Sequence, residues 1–100
     1  MNRDKNLPLT ETVYYILLAL YEPAHGYIIM QRVEELSGGQ VRLAAGTLYG
    51  AIENLLNKGL ITAISSDDVR RKVYVISQAG KQVLNADYQR MTHMLGVIAV

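Results

Sequence analysis

The chain of 100 residues contains no cysteine, no tryptophan and no phenylalanine, and only two prolines. Without cysteine it has no disulfide scaffold, no thiolate ligand for a metal and no cysteine nucleophile. The lack of cysteine agrees with a reducing compartment, and the polar first residues do not look like a signal peptide. We therefore expect a cytoplasmic protein.

Long hydrophobic runs are also missing. The apolar stretch at residues 94–100 is far shorter than the roughly 20 residues that a membrane-spanning helix needs. Half of the residues are nonetheless hydrophobic and only 19% are charged, which is typical of a folded globular chain. We expect one small domain without a membrane partner, near the size at which a second subunit often adds apolar burial.

Charges of the two signs nearly cancel, giving a formal net charge of +1. The overall field is thus a weak argument for a nucleic-acid partner. The sequence has no phosphate-binding glycine loop and no Gly-x-Ser-x-Gly nucleophile elbow. Its two histidines, His25 and His93, have no carboxylate at a spacing that suits a metal site. We expect neither an enzyme nor a metal or cofactor site.

The most informative pattern lies between Leu43 and Ile61. Apolar residues recur there at helical spacing on one side, and Gly59 provides the left-handed stop that a helix end prefers. The opposite side is small and polar, so this helix can approach a DNA groove closely, although an ordinary surface helix has the same periodicity. The apolar side consists of Leu48, Ile52, Leu55 and Leu56, and the polar side of Thr47, Gly50, Glu53, Asn54 and Asn57.

Two further helices are predicted before this one. Thr10 can cap the first, and Pro23 is expected to end it because the residue before a proline leaves helical geometry. The second runs from near Gly26 to the glycine pair at residues 38–39. A short link then joins it to the Thr47 helix, which is the order of a helix-turn-helix unit.

A β-hairpin is predicted after the third helix. Residues 60–65 and 72–77 are rich in isoleucine and valine and flank a polar turn. The predicted fold is therefore mainly α with a small β-hairpin, a winged helix-turn-helix over residues 1–77. The one basic run of the sequence, Arg70, Arg71 and Lys72, lies at this hairpin. It is explained equally by a wing that contacts DNA and by a solvated turn.

Residues 78–100 are predicted to form a last helix, which Ser77 can cap. Its apolar residues alternate at spacings of four and three, as in the seam of a coiled coil. Contact with the first helix of the same chain would cover this seam, but a second subunit also explains the apolar breadth of the first helix. We expect a homodimer through Tyr14, Leu18, Leu84, Tyr88, Met91, Leu95 and Ile98.

Five short motifs occur in an order that resembles the PadR family of bacterial and archaeal transcriptional regulators. They are HGY at 25–27, ELSGG at 35–39, GTLY at 46–49, KGLI at 58–61 and RRKVYVIS at 70–77 with AG at 79–80. The single terminal helix is similar to the compact branch of that family. The resemblance implies a dimeric winged-helix repressor whose recognition helix enters the major groove and whose wing reaches phosphates or the minor groove.

The resemblance also implies roles for single residues. The GTLY match implies that Thr47 and Tyr49 contact or frame the DNA backbone. The match at the wing strand implies that Tyr74 and Ile76 face the core, and Tyr27 is expected to pack under the helix-turn-helix unit. The wing match places Arg70, Arg71 and Lys72 near phosphates. From the polar face we add Gly50, Asn54 and Asn57 as DNA-binding residues.

Three features depart from the family pattern, and one of them is Val75 at a position that is often basic. Ala44 and Ala45 stand where many relatives have Ser-Pro, so the helix start lacks its usual cap. Glu53 stands where relatives often have a basic residue, and it either repels phosphate or accepts a hydrogen bond from the amino group of cytosine. Phosphate affinity must then come from the wing or from Arg32, Arg42 and Lys58.

Some PadR-family members bind flat aromatic or amphipathic molecules that relieve repression. A small aromatic effector is therefore implied here, in a slot formed by Tyr14, Tyr15 and Tyr88, although tyrosines on helix faces are also common core residues. A DNA-bound dimer would recognise an inverted repeat with half-sites spaced by roughly 10 bp. The alternative function is a winged-helix adaptor that binds protein and never DNA.

Overall fold

The computed structural model describes residues 4–64 and 72–98. It is mostly helical with a small sheet, as predicted. The elements in chain order are α1 (Glu11–Ala19), β1 (Ala24–His25), α2 (Gly26–Leu36), α3 (Ala45–Asn57), β2 (Ile61–Ile64), β3 (Val73–Ile76) and α4 (Gln78–Ile98).

The sheet has three antiparallel strands in the order β1-β3-β2. The pairing of β2 with β3 confirms the predicted hairpin, in a register that places Ala63 opposite Tyr74. The added strand β1 pairs Ala24 with Tyr74 and His25 with Val73 on the other edge of β3. Two residues are too few to show an alternating pattern, so the sequence did not reveal this strand.

The predicted caps are present at the starts of the first and last helices. The Thr10 hydroxyl accepts the backbone N–H of Val13 at 3.1 Å, which starts α1. The Ser77 hydroxyl accepts the backbone N–H of Gly80 at 3.0 Å and donates to the Gly59 carbonyl at 2.6 Å. The start of α4 is therefore tied to the turn that follows α3.

The end of α1 differs from the prediction, because the helix stops at Ala19, well before Pro23. Arg32 from α2 bonds to the carbonyls that this end leaves free. Its guanidinium Nη1 donates to the carbonyl oxygens of Ala19 at 2.9 Å and Glu22 at 2.8 Å. In a longer helix the Ala19 carbonyl would need the N–H of residue 23, which Pro23 lacks, and the Arg32 guanidinium satisfies it instead.

The core lies between the first three helices, the inner face of the sheet and the first half of α4. Tyr74 and Ile76 face it as predicted, and each is 5% exposed. From α4, Val83 and Leu84 enter the same core. Within the part of the chain described, no helix is both long enough and apolar enough to cross a membrane.

Candidate nucleic-acid interface

Helix α3 buries one face and exposes the other, as its sequence predicts. Leu48, Ile52 and Leu55 are buried. The exposed side is open, because no described residue beyond the local helix backbone comes within 4 Å of a Cβ placed on Gly46 or Gly50. We call this surface the recognition face: Gly46, Thr47, Gly50, Glu53, Asn54 and Asn57.

The amino-terminal end of α3 is available to an anion. Its N-cap, Ala44, is extended and provides no side-chain hydrogen bond to the first turn. The uncapped N–H groups and the helix dipole together favour a phosphate at this end. The absence of the family's usual cap is therefore compatible with a phosphate contact.

Arg42 lies just before this helix end and is highly exposed. Its guanidinium pairs with the Glu34 carboxylate at 2.9 Å, and the two side chains are 78% and 48% exposed. An ion pair so exposed contributes little free energy, so the guanidinium can exchange the carboxylate for a phosphate. Lys72, just before β3, is also exposed, whereas Arg70 and Arg71 lie outside the described residues.

The Tyr49 side chain packs α3 against the start of α2. A Cβ at Gly26 would collide with the Tyr49 phenol, so the ring lies directly on the bare backbone at the start of α2. Burial raises the pKa of the neighbouring Tyr74, and the Tyr49 phenol raises it further. Half of Tyr49 remains exposed, which suits a residue that frames the recognition face.

Two residues expected at this unit are used differently. Arg32 is half-buried, and its hydrogen bonds to the end of α1 give its guanidinium a structural role, so we leave it out of the interface. Tyr27 was predicted to pack under the helix-turn-helix unit, which is wrong, since it is 60% exposed. Its hydroxyl accepts a hydrogen bond from the Gln31 amide at 3.3 Å.

The second candidate surface is the apolar end of α4. Tyr88 is 54% exposed, Leu95 67% and Ile98 75%, while Met91, Tyr14 and Leu18 are half-buried. Leu84 is different, because it is only 4% exposed inside the core of its own chain. It is therefore a core residue and not part of an accessible seam.

A cavity of about 500 Å³ lies between α1 and α4. The Tyr14 and Tyr15 rings meet edge to face there, with centroids 6.5 Å apart. Tyr88, expected in this slot, is not among the lining residues, which are Leu9, Thr10, Glu11, Tyr14, Tyr15, Leu18, Asp87 and Met91.

Asp87 is a lining residue that the sequence analysis missed. It is 1% exposed, and its carboxylate accepts the Arg90 Nε–H at 2.6 Å. Burial raises the pKa of the Tyr14 phenol, and the Asp87 carboxylate raises it further. An aspartate within an amphipathic helix has no sequence signal that separates it from a surface residue.

The fold agrees with solved structures of regulators. A transcriptional regulator from Clostridium thermocellum superposes with a TM-score of 0.77 over 97% of this chain and 95% of its own, and at 21% identity this likeness concerns the fold. A PadR family transcriptional regulator from Eggerthella lenta has 28% identity and a TM-score of 0.68 over 84% of this chain and 73% of its own.

Bacillus subtilis PadR, solved in complex with operator DNA, has 25% identity and a TM-score of 0.66. The match covers 76% of this chain but only 45% of that one. No protein of curated function matches the chain. The sequence profile described as the Transcriptional regulator PadR-like family matches residues 14–86. Because that match spans well over half of the sequence, the chain belongs to the PadR-like family of transcriptional regulators.

Proposed function

We propose that this PadR-family regulator is a cytoplasmic homodimer that represses transcription by binding an inverted repeat in double-stranded DNA. The observation that carries the proposal is the recognition face, an open helix surface with two glycines and short polar side chains beside an uncapped helix start. Such a surface lets the backbone come close to base edges and phosphates. That Bacillus subtilis PadR was solved with operator DNA supports the same partner here.

The sign of the charges around the recognition face supports phosphate contacts at its margins. Glu53 is the one charged side chain on the face itself and is negative. The uncapped start of α3 and the exposed Arg42 just before it attract phosphate beside the face. Lys72 adds an exposed cation on the wing. Glu53 would then meet a base edge, where a carboxylate accepts the amino group of cytosine.

The direct test is selection of bound duplexes from a randomised DNA pool, followed by titration of the selected duplex at several salt concentrations. We expect an inverted repeat with half-sites spaced by roughly 10 bp. Binding should weaken steeply as salt rises, because contacts to phosphate release counterions. Failure to enrich any duplex at low salt, with the protein folded, would contradict DNA binding and favour the protein adaptor.

Dimerisation through α4 accounts for its exposed apolar end. Met94, Leu95, Val97 and Ile98 are each about half exposed or more, from 48% to 75%. A two-fold pair of such helices removes this surface from water and is the commonest arrangement of soluble oligomers. The same surface extends toward the body of the domain through Tyr14 and Leu18 on α1 and through Tyr88 and Met91 on α4.

Replacing Leu95 with glutamate is expected to convert the dimer to a monomer, because a carboxylate in an apolar interface lacks a partner. Sedimentation equilibrium at micromolar concentration measures the mass. Gln89→Glu, at an exposed position of the same helix, adds the same charge and should leave the dimer intact. A dimer that survives Leu95→Glu would exclude this surface as the interface.

We also propose that the cavity between α1 and α4 binds a flat aromatic effector that releases the DNA. Tyr14 and Tyr15 provide ring surfaces, and Met91 connects the cavity to the proposed dimer surface. The cavity is in the size range of small-molecule sites. A ligand in this cavity would change the angle between α1 and α4. Because α4 carries the proposed dimer contact, the distance between the recognition faces of the two subunits would change as well.

Tyr15→Ala is expected to weaken the binding of a planar aromatic dye about two- to tenfold, the usual contribution of a stacked ring. Fluorescence titration of the dye gives the dissociation constant. Tyr27→Ala removes an exposed tyrosine from α2, outside the cavity, and serves as the matched control. Equal dissociation constants for the two variants would contradict this ligand site.

A further inference from the structure

We propose that Lys5, Asn6, Asn57 and Lys58 form a second phosphate-binding site, here called the lysine groove, which takes a DNA backbone phosphate beyond the carboxyl-terminal end of α3. The inference rests on the proposed function, because it concerns the same DNA. It adds the segment before α1 to the DNA-binding surface.

The segment that carries Lys5 is held in a defined conformation. The Asp4 carboxylate accepts the backbone N–H of Asn6 at 2.7 Å and its side-chain amide at 2.9 Å. The Asp4 carbonyl accepts the N–H of Leu7 at 3.0 Å. Leu7 and Leu9 then pack against the core, so the turn is anchored on its following side.

The same segment lies against the end of α3. A small cavity of about 130 Å³ is shared by residues of both, with Pro8 and Leu9 on one side and Leu55 and Lys58 on the other. The position of Lys5 beside α3 therefore follows from packing. Because the backbone that carries Lys5 is already ordered, binding of a ligand by this side chain costs less conformational entropy.

The lysine groove is open and has a volume of about 390 Å³. Among the described residues it is lined by Lys5, Asn6, Asn57 and Lys58, whose side chains carry two ammonium groups and two carboxamides and no carboxylate. The nearby Asp4 carboxylate already accepts two hydrogen bonds from Asn6. Ammonium and amide N–H groups are the donors that phosphate oxygens accept.

The groove is continuous with the recognition face, since Asn57 belongs to both. Helix α3 has 13 residues and is therefore about 20 Å long, more than the width of the major groove of about 12 Å. When its first turns lie in the groove, its last turn reaches the flanking backbone. Lys5 and Lys58 then provide positive charge at the carboxyl-terminal end of α3, whereas Glu53 makes the middle of this helix negative.

A purely structural role explains only part of this arrangement. Lys58 is the C-cap of α3, where a cation favours the helix dipole without any ligand. Lys5 precedes α1 and belongs to no helix, so the dipole does not account for it. Lys5 is therefore the more informative residue to replace.

The experiment measures the affinity for a duplex of unrelated sequence, about 30 bp long, across salt concentrations near 50–200 mM, where phosphate contacts dominate. The variants are Lys5→Ala, Lys58→Ala and the double variant. The control is Lys81→Ala, which removes the same charge from α4, where the ammonium lies 5.4 Å from the centre of the Tyr21 ring, just after the end of α1.

Each lysine substitution should lower the slope of log affinity against log salt by about one per protomer, and the double variant by about two. Lys81→Ala should keep the slope of the parent. A double variant with the slope of Lys81→Ala, while the parent binds steeply, would overturn the lysine groove and leave the proposed function standing. A parent without salt-sensitive binding would overturn both.

Discussion

Gly80→Val is expected to lower the free energy of unfolding by about 3 kcal/mol, the largest effect on stability that we predict for a single substitution. A Cβ at Gly80 would collide with the backbone carbonyl of Leu60 and with Cγ1 of Ile76. A carbonyl in the turn between α3 and β2 cannot move without breaking its bond from the Ser77 N–H, which is 3.0 Å long. Urea unfolding followed by circular dichroism measures the change.

Gly50→Ala is the matched control for this effect. Both glycines lie in helices, but nothing stands within 4 Å of a Cβ built on Gly50. Alanine there should raise the free energy of unfolding by about 0.5–1 kcal/mol, because glycine is the poorer helix former. Equal stability of the Gly80→Val protein and the parent would contradict the close approach of α4 to this turn.

Gly50→Glu is expected to weaken binding to the selected DNA about a hundredfold or more, roughly 3 kcal/mol, while the fold stays as stable as in the parent. The added carboxylate lies on the recognition face beside Glu53, where it repels phosphate and keeps the helix away from base edges. Fluorescence anisotropy gives the affinity, and thermal unfolding reports the fold. Glutamate is a good helix former, so a loss of binding would not reflect unfolding.

Ala79→Glu provides the control for charge, because it adds a carboxylate at an exposed position of α4. Its affinity for DNA should differ little from that of the parent. If Gly50→Glu bound DNA as tightly as Ala79→Glu, the recognition face would not lie in the groove, and the wing or another surface would have to carry recognition.

Features that depend on neighbours in the chain were predictable from the sequence. The caps Thr10 and Ser77 each bond to an N–H three residues ahead, a distance that a sequence pattern contains. Gly59 has a φ of +71°, which only a glycine adopts without strain, and it ends α3 where the periodicity stops. The predicted hairpin follows the same logic, because the isoleucine and valine content of its strands and the polar turn between them are local features.

Features that depend on distant parts of the chain were not predictable in this way. From the sequence, Arg32 is expected to be a surface cation. It donates hydrogen bonds to the Ala19 and Glu22 carbonyls only because α2 packs against the end of α1. Leu84 fits a coiled-coil seam by spacing, yet the core lies against the first half of α4 and buries it. The strand β1 exists because β3 has a free edge beside it.

The sequence by itself determined the family, the order of helices and hairpin, and the polar side of α3, because periodicity, caps and motifs are local properties. Tertiary structure alone decided which charged and apolar residues remain accessible. It buried Asp87 beside Tyr14, assigned Arg32 to the end of α1 and brought Lys5 next to Lys58 across the chain. Those contacts arise from packing between segments far apart in sequence, where no local pattern specifies the partner.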